Sequence, residues 1–136
     1  MPPKMPAVNK TTAAALLLLT AACTTGVDST LDSAFRLRRG QSATIEDTRL
    51  TITFLAVDDT RCPLGVFCIV PGNGQVQLEI QNGVVGYSVQ LNTGEGPHSA
   101  TVGPYLIELK ALDPYPVFGH PTPLDRYEAE LRVTAE

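Results

Sequence analysis

An all-β fold, an antiparallel β-sandwich of roughly seven or eight short strands, is predicted by three observations on the 136-residue chain. Apolar and polar residues alternate with a period of two over much of the sequence, as expected of strands with one face in a core and one in water. The runs are separated by clusters of Gly, Pro, Asn and Asp, the residues that set turn geometry. No stretch of helical length repeats every 3.6 residues, and the connections are too short for helical crossovers, so the strands are expected to be antiparallel. A small closed β-barrel is the alternative closure of the same strands.

The elements follow in chain order. Phe35 and Leu37 alternate with Arg36 and Arg38, and the turn Arg39-Gly40-Gln41 follows. A second turn at Glu46-Asp47-Thr48 precedes Leu50, Ile52 and Phe54, which alternate with Arg49, Thr51 and Thr53. Val76, Leu78 and Ile80 interleave with glutamines and Glu79 after the turn Pro71-Gly72-Asn73-Gly74. Asn82-Gly83 is the strongest hairpin signal, although Val84-Val85-Gly86 points to a loop of more than two residues. Tyr87, Val89 and Leu91 form the returning run, and Thr93-Gly94-Glu95-Gly96-Pro97 closes it. Tyr105, Ile107 and Leu109, and finally Tyr127, Ala129, Leu131 and Val133, complete the set.

Two segments break this rhythm. Residues 57–71 carry Cys62 and Cys68, and residues 113–125 carry Pro114, Pro116, Pro121 and Pro123 among Tyr115, Phe118 and His120. Each proline removes a ladder donor, so the second segment is excluded from a sheet interior. Loops held by a rigid sheet are where binding residues concentrate. Asp59, Arg61, Tyr115 and Phe118 are therefore the candidate contact residues. The bland alternative for Asp58, Asp59 and Arg61 is that they pair and cap turns within a stapled Ω-like loop.

The N-terminal residues have a different character. Lys4 and Lys10 precede an apolar run, Ala13 to Ala22, that ends in small residues before Cys23. That order is the order of an export leader, and a run spanning ten residues falls well short of the roughly 20 that span a bilayer. A buried N-terminal helix is disfavoured by flanks without caps or periodicity. The run resembles bacterial lipoprotein signals, which carry an aliphatic residue three positions before a lipidated cysteine. Here that position is Thr20, with Leu19 one place further back. The resemblance implies a leader over residues 1–22, a lipid on Cys23, a polar flexible tether over 23–33, and a sandwich domain over 34–136. Cleavage without lipidation, giving a soluble secreted protein, is the alternative. Either route places the domain outside the cytoplasm, in the first case at the cell envelope with a membrane held through Cys23.

Charge and cysteine content fit that location. Beyond residue 22 there remain 8 Lys/Arg against 14 Asp/Glu, a net charge of −6, which argues against nucleic acid as a partner. With Cys23 assigned to lipid, Cys62 and Cys68 are left to form a disulfide in an oxidising compartment. Their five-residue gap does not match the two-residue spacing of thioredoxin-like or zinc-knuckle pairs.

Asp59-Thr60-Arg61-Cys62-Pro63, Gly65-Val66 before Cys68, and the turn Gly72-Asn73-Gly74 resemble the signature of an uncharacterised family of small bacterial secreted and lipid-anchored β domains. Leu112-Asp113-Pro114-Tyr115-Pro116 extends the likeness, which spans roughly residues 35–135. Thr60 stands where that family usually has serine, and Val70 where it usually has tryptophan. The resemblance implies the β fold and the disulfide, and it implies no activity.

Catalytic signatures are missing from the sequence. There is no Gly-x-Ser-x-Gly elbow, no ordered Ser, His and Asp set, and no phosphate-cradling glycine loop. His98 and His120 with Asp113, Asp125 or Asp58 could form a metal site only if the fold assembled one, since no local ligand spacing exists. The expectation is a protein with no catalytic residues, metal or cofactor, acting by structure or by contact with an envelope partner. The alternative is a ligand- or protein-binding module, protease-inhibitor-like in its use of sandwich-end loops.

Overall fold

A computed structural model describes residues 2–4 and 26–136. The leader and Cys23 lie outside the described residues. The fold is all-β: two sheets face each other and do not close into a barrel. Nine strands are formed among the described residues. They are β1 (Gly26–Ser29), β2 (Ala34–Arg38), β3 (Ser42–Ile45), β4 (Leu50–Asp59), β5 (Gly74–Asn82), β6 (Val85–Asn92), β7 (Ser99–Val102), β8 (Tyr105–Asp113) and β9 (Glu128–Ala135). One sheet has the order β1-β3-β4-β5-β6 and the other β2-β9-β8-β7. A 3-10 turn, Leu124–Arg126, interrupts the proline-rich loop.

The alternating residues form one core between the sheets. Leu37, Ile52, Phe54, Leu78, Ile80, Ile107 and Leu131 are completely buried, from strands of both sheets. Burial of a side chain of this kind contributes about 1.5–3 kcal/mol relative to exposure, so the period-two pattern is the main stabilising feature. On the outer face of the second sheet, Arg36 pairs with Asp113 and Glu130, and Arg38 with Glu128, across the β2-β9-β8 ladder. These ion pairs are exposed and contribute little.

Three expectations are corrected. Residues 26–29, expected in the flexible tether, form β1, with Val27 and Leu31 packed against the core. One buried face on a four-residue edge strand is enough for pairing, and the polar composition of the segment hides it. Second, β1 runs parallel to β3, not antiparallel. The intervening β2 crosses to the opposite sheet, so β1 and β3 point the same way without a helical crossover. Third, the β5–β6 hairpin has a two-residue loop, because Asn82 pairs directly with Val85. Gly83 takes φ +65 and Val84 stays at negative φ, the pattern of a type II′ turn with glycine first.

Each sheet carries one bulge. In β4 the register shifts between Phe54 and Ala56, leaving Leu55 unpaired, and in β8 it shifts between Leu109 and Ala111, leaving Lys110 unpaired. An extra residue reverses which side chains face inward from there on. Leu50, Ile52 and Phe54 point into the core below the β4 bulge, and Val57 and Asp59 above it. On β8 the inward set passes from Ile107 and Leu109 to Leu112. Both bulges lie toward the same end of the sandwich, the end that carries the two irregular loops.

Candidate functional site

The site begins with Asp59, turned inward by the β4 bulge at the mouth of the core. Arg61, two residues on, folds back to meet it: Nε donates to Oδ1 at 2.7 Å and Nη2 to Oδ2 at 2.8 Å, a bidentate pair. The Arg61 backbone N–H also donates to Oδ1, and the Tyr127 hydroxyl donates to Oδ2 at 2.9 Å. Arg61 then crosses to the other sheet, donating through Nη1 to the Leu112 carbonyl at 2.8 Å and through Nη2 to the Pro114 carbonyl at 3.0 Å. Its guanidinium lies 4.9 Å from the centre of the Tyr115 ring, a cation–π contact. A Cβ on Gly74 would stand 2.8 Å from Leu112 and 3.2 Å from Arg61 Nε, so a residue without a side chain is required where they pack.

Both members of this clamp are nearly dry, with side-chain exposures of 8% for Arg61 and 5% for Asp59. Burial acts to raise the Asp59 pKa, but the hydrogen bonds from Arg61 and Tyr127 outweigh it and hold the carboxyl below the usual carboxylate range. Burial and the bond to Asp59 push the Tyr127 hydroxyl above its ordinary value. Asp59 and Arg61 were candidates for a recognition edge. Their hydrogen-bonding capacity is instead turned inward, where they join the two loops to both sheets. Asp58 stays exposed and outside the clamp.

The loops are also joined through backbone. Leu64 N–H donates to the Pro116 carbonyl at 2.9 Å and Phe118 N–H to the Leu64 carbonyl at 3.0 Å, so the disulfide loop and the proline-rich loop share a short pairing. Cys62 and Cys68 are bonded, closing the disulfide loop. At its base, Thr60 N–H donates to the Asn73 carbonyl and Cys62 N–H to the Pro71 carbonyl. Gly72 makes the return possible, since it takes φ +70 and a Cβ there would stand 1.8 Å from the Thr60 carbonyl oxygen. Phe67 and Ile69 at the apex are fully exposed, with Leu64, Val70 and Phe118 largely so. Tyr115 is about half-exposed, its ring forming part of two adjacent hollows.

His98 and His120 are both exposed and do not converge with Asp113, Asp125 or Asp58. Among the described residues no group of three His, Cys, Asp or Glu side chains is placed to hold a metal ion. His98 Nδ1 lies 2.6 Å from the Asn92 carbonyl. A polar network ties that region to the clamp: Asn73 donates through Nδ2 to Asn92 Oδ1, Gly94 N–H to Asn73 Oδ1, and Gly74 N–H to Thr93 Oγ1. This network and the β8 bulge were not visible in the sequence. The Asn-rich turns flanking β5 and β6 were their only local signal.

Fold and site together define a two-sheet β-sandwich with one braced, loop-bearing end. No protein-family model, curated protein or solved structure matches the chain, so its role has to be read from the molecule itself.

Proposed function

We propose that the chain is an exported, lipid-anchored domain of the cell envelope that acts by contact rather than catalysis, through its braced loop end. The observation that carries this reading is the union of the disulfide loop with the proline-rich loop, which holds Leu64, Phe67, Ile69 and Phe118 out into solvent on a rigid base. Apolar side chains clustered on a preorganised surface are a mark of interaction sites, because ordering costs have been met before contact. The disulfide supports a location outside the cytoplasm, where thiols are not kept reduced. The leader and Cys23 supply the address, by their resemblance to lipoprotein signals.

Two measurements test the reading. Membrane fractionation with mass analysis of the N-terminus should find a diacylated Cys23 in the wild type and a released, soluble Cys23→Ser protein; a soluble wild type would refute the anchor. A photo-crosslinking residue at position 67 or 118, compared with one at position 36, should give adducts in native membranes from the loop end alone. Equal labelling from both faces would refute contact through the loops. A second reading, a protease-inhibitor-like module, is favoured by the exposure of Phe67 at the tip of a stapled loop. It requires saturable inhibition of a chymotrypsin-type protease that disappears in Phe67→Ser.

A further inference from the structure

We propose that the cleft beside the clamp is a binding site for a monocarboxylate carried on an apolar group. The cleft has a volume of about 480 Å³, within the range of small-molecule sites, and opens between the Asn92–His98 turn and the bulged end of β8. Its floor is Leu109 and Leu112, and Tyr115 forms one wall. Lys110, His98 and Arg61 all line it, and no Asp or Glu does. In a chain of net charge −4, a hollow lined by Lys110 and by no carboxylate departs locally from the overall sign.

The placement of Lys110 is the second observation. It is the extra residue of the β8 bulge, and bulges re-aim side chains at binding sites. Arg36 and Arg38 are matched with carboxylates, whereas none among the described residues pairs with Lys110. The charge of Arg61 is already answered by Asp59, so its role here is to hold the wall. His98 donates from Nδ1 to the Asn92 carbonyl, which leaves Nε2 of that tautomer an acceptor, so the donor for a carboxylate has to be Lys110. One unmatched ammonium above an apolar floor suits a single carboxylate with a hydrophobic body. It is too little charge for a phosphate dianion or a nucleic acid. The site is separate from the apolar apex, and it stands or falls independently of the anchor.

The test uses benzoate as probe, benzamide as its uncharged counterpart, and a tripeptide ending in phenylalanine with a free or amidated C-terminus. Amide chemical shifts of Gly94 and Lys110 in the purified full chain are followed during titration. Saturable shifts with benzoate or the free-acid peptide are expected, at least tenfold weaker with benzamide or the amidated peptide. The tighter of the two acids identifies the source as a free small molecule or a chain terminus. Lys110→Met should weaken binding about tenfold, and Arg36→Met should leave it unchanged. Equal binding of benzoate and benzamide, an unaffected Lys110→Met, or no saturation by either acid would overturn the proposal.

Discussion

Removal of the Asp59 carboxylate is the sharpest perturbation the structure offers. In Asp59→Ala, Arg61 stays buried with its charge unanswered, a situation that costs about 3–5 kcal/mol. The Tyr127 hydroxyl loses its acceptor as well, adding about 1 kcal/mol. The sum, about 4–6 kcal/mol, is comparable with the whole stability of a small domain, which runs from about 5 to 15 kcal/mol. Arg61→Met is expected to be milder, because Asp59 keeps its bond to Tyr127 and is able to take up a proton. Combining the two removes both charges, so the double variant should be more stable than Asp59→Ala alone, a coupling of at least about 2 kcal/mol. The assay is equilibrium urea unfolding followed by circular dichroism and tyrosine fluorescence, the chain having no tryptophan. A loss under about 1 kcal/mol in Asp59→Ala, or additive effects in the double variant, would refute the clamp as a buried, mutually dependent pair.

Acid should reveal the same group. The Asp59 pKa is lowered on folding, so its stabilising effect is complete above the unfolded carboxylate value of about 4 and is lost as pH falls through the folded value below that. Urea midpoints measured downward from pH 5 should fall less steeply in Asp59→Asn than in wild type. Reduction of Cys62–Cys68, a sequence separation of 6, should cost about 2 kcal/mol and leave the sandwich folded; intact mass must change by about 2 Da with reductant, and no change would exclude the bond. Gly72→Ala forces a Cβ against the Thr60 carbonyl and should cost about 2 kcal/mol or more, whereas Gly40→Ala, with φ +89 but open space around it, should cost about 1 kcal/mol; thermal melts compare them. Phe67→Ser should shift stability by less than about 0.5 kcal/mol, in contrast with about 3–5 for Phe54→Ala, by the same urea assay.

The sandwich was legible because its core strands obey strict alternation: Leu50 to Phe54, Val76 to Ile80 and Ala129 to Val133 occupy the faces their spacing predicts. Tyr87 is the counterexample, placed inward by its spacing but exposed on β6, an edge strand that the opposite sheet covers only near Leu91. β3 and β7 are too short to show periodicity, although Ala43, Ile45 and Val102 bury completely. The site was only half legible. Asp59, Arg61 and Tyr115 were singled out for their residue types, and they do come together, but which way Asp59 faces depends on the extra residue at Leu55. A bulge has no local composition signal when the residue it inserts is an ordinary strand former, so alternation continued past Phe54 turns Ala56 and Asp58 inward instead. The partnership of Asp59 with Tyr127, far along the chain, is a product of topology alone.

The two bulges divide the sandwich into regions with different rules of substitution. Below them, inward positions ask only for apolar volume, and exchanges such as Ile80→Leu or Val133→Ile should be absorbed by small adjustments in packing. Above them, beside Val57 and Leu112, the inward positions include a carboxylate, a guanidinium and a phenol whose fit depends on directed bonds, and Gly74 is fixed by the bulk of Leu112, Thr93 and Arg61. A library randomised across the core should therefore return many solutions at the lower end and almost one at the upper. Divergent chains of this design should keep their spelling at Asp59, Arg61, Gly74 and Tyr127 long after the rest of the core has drifted.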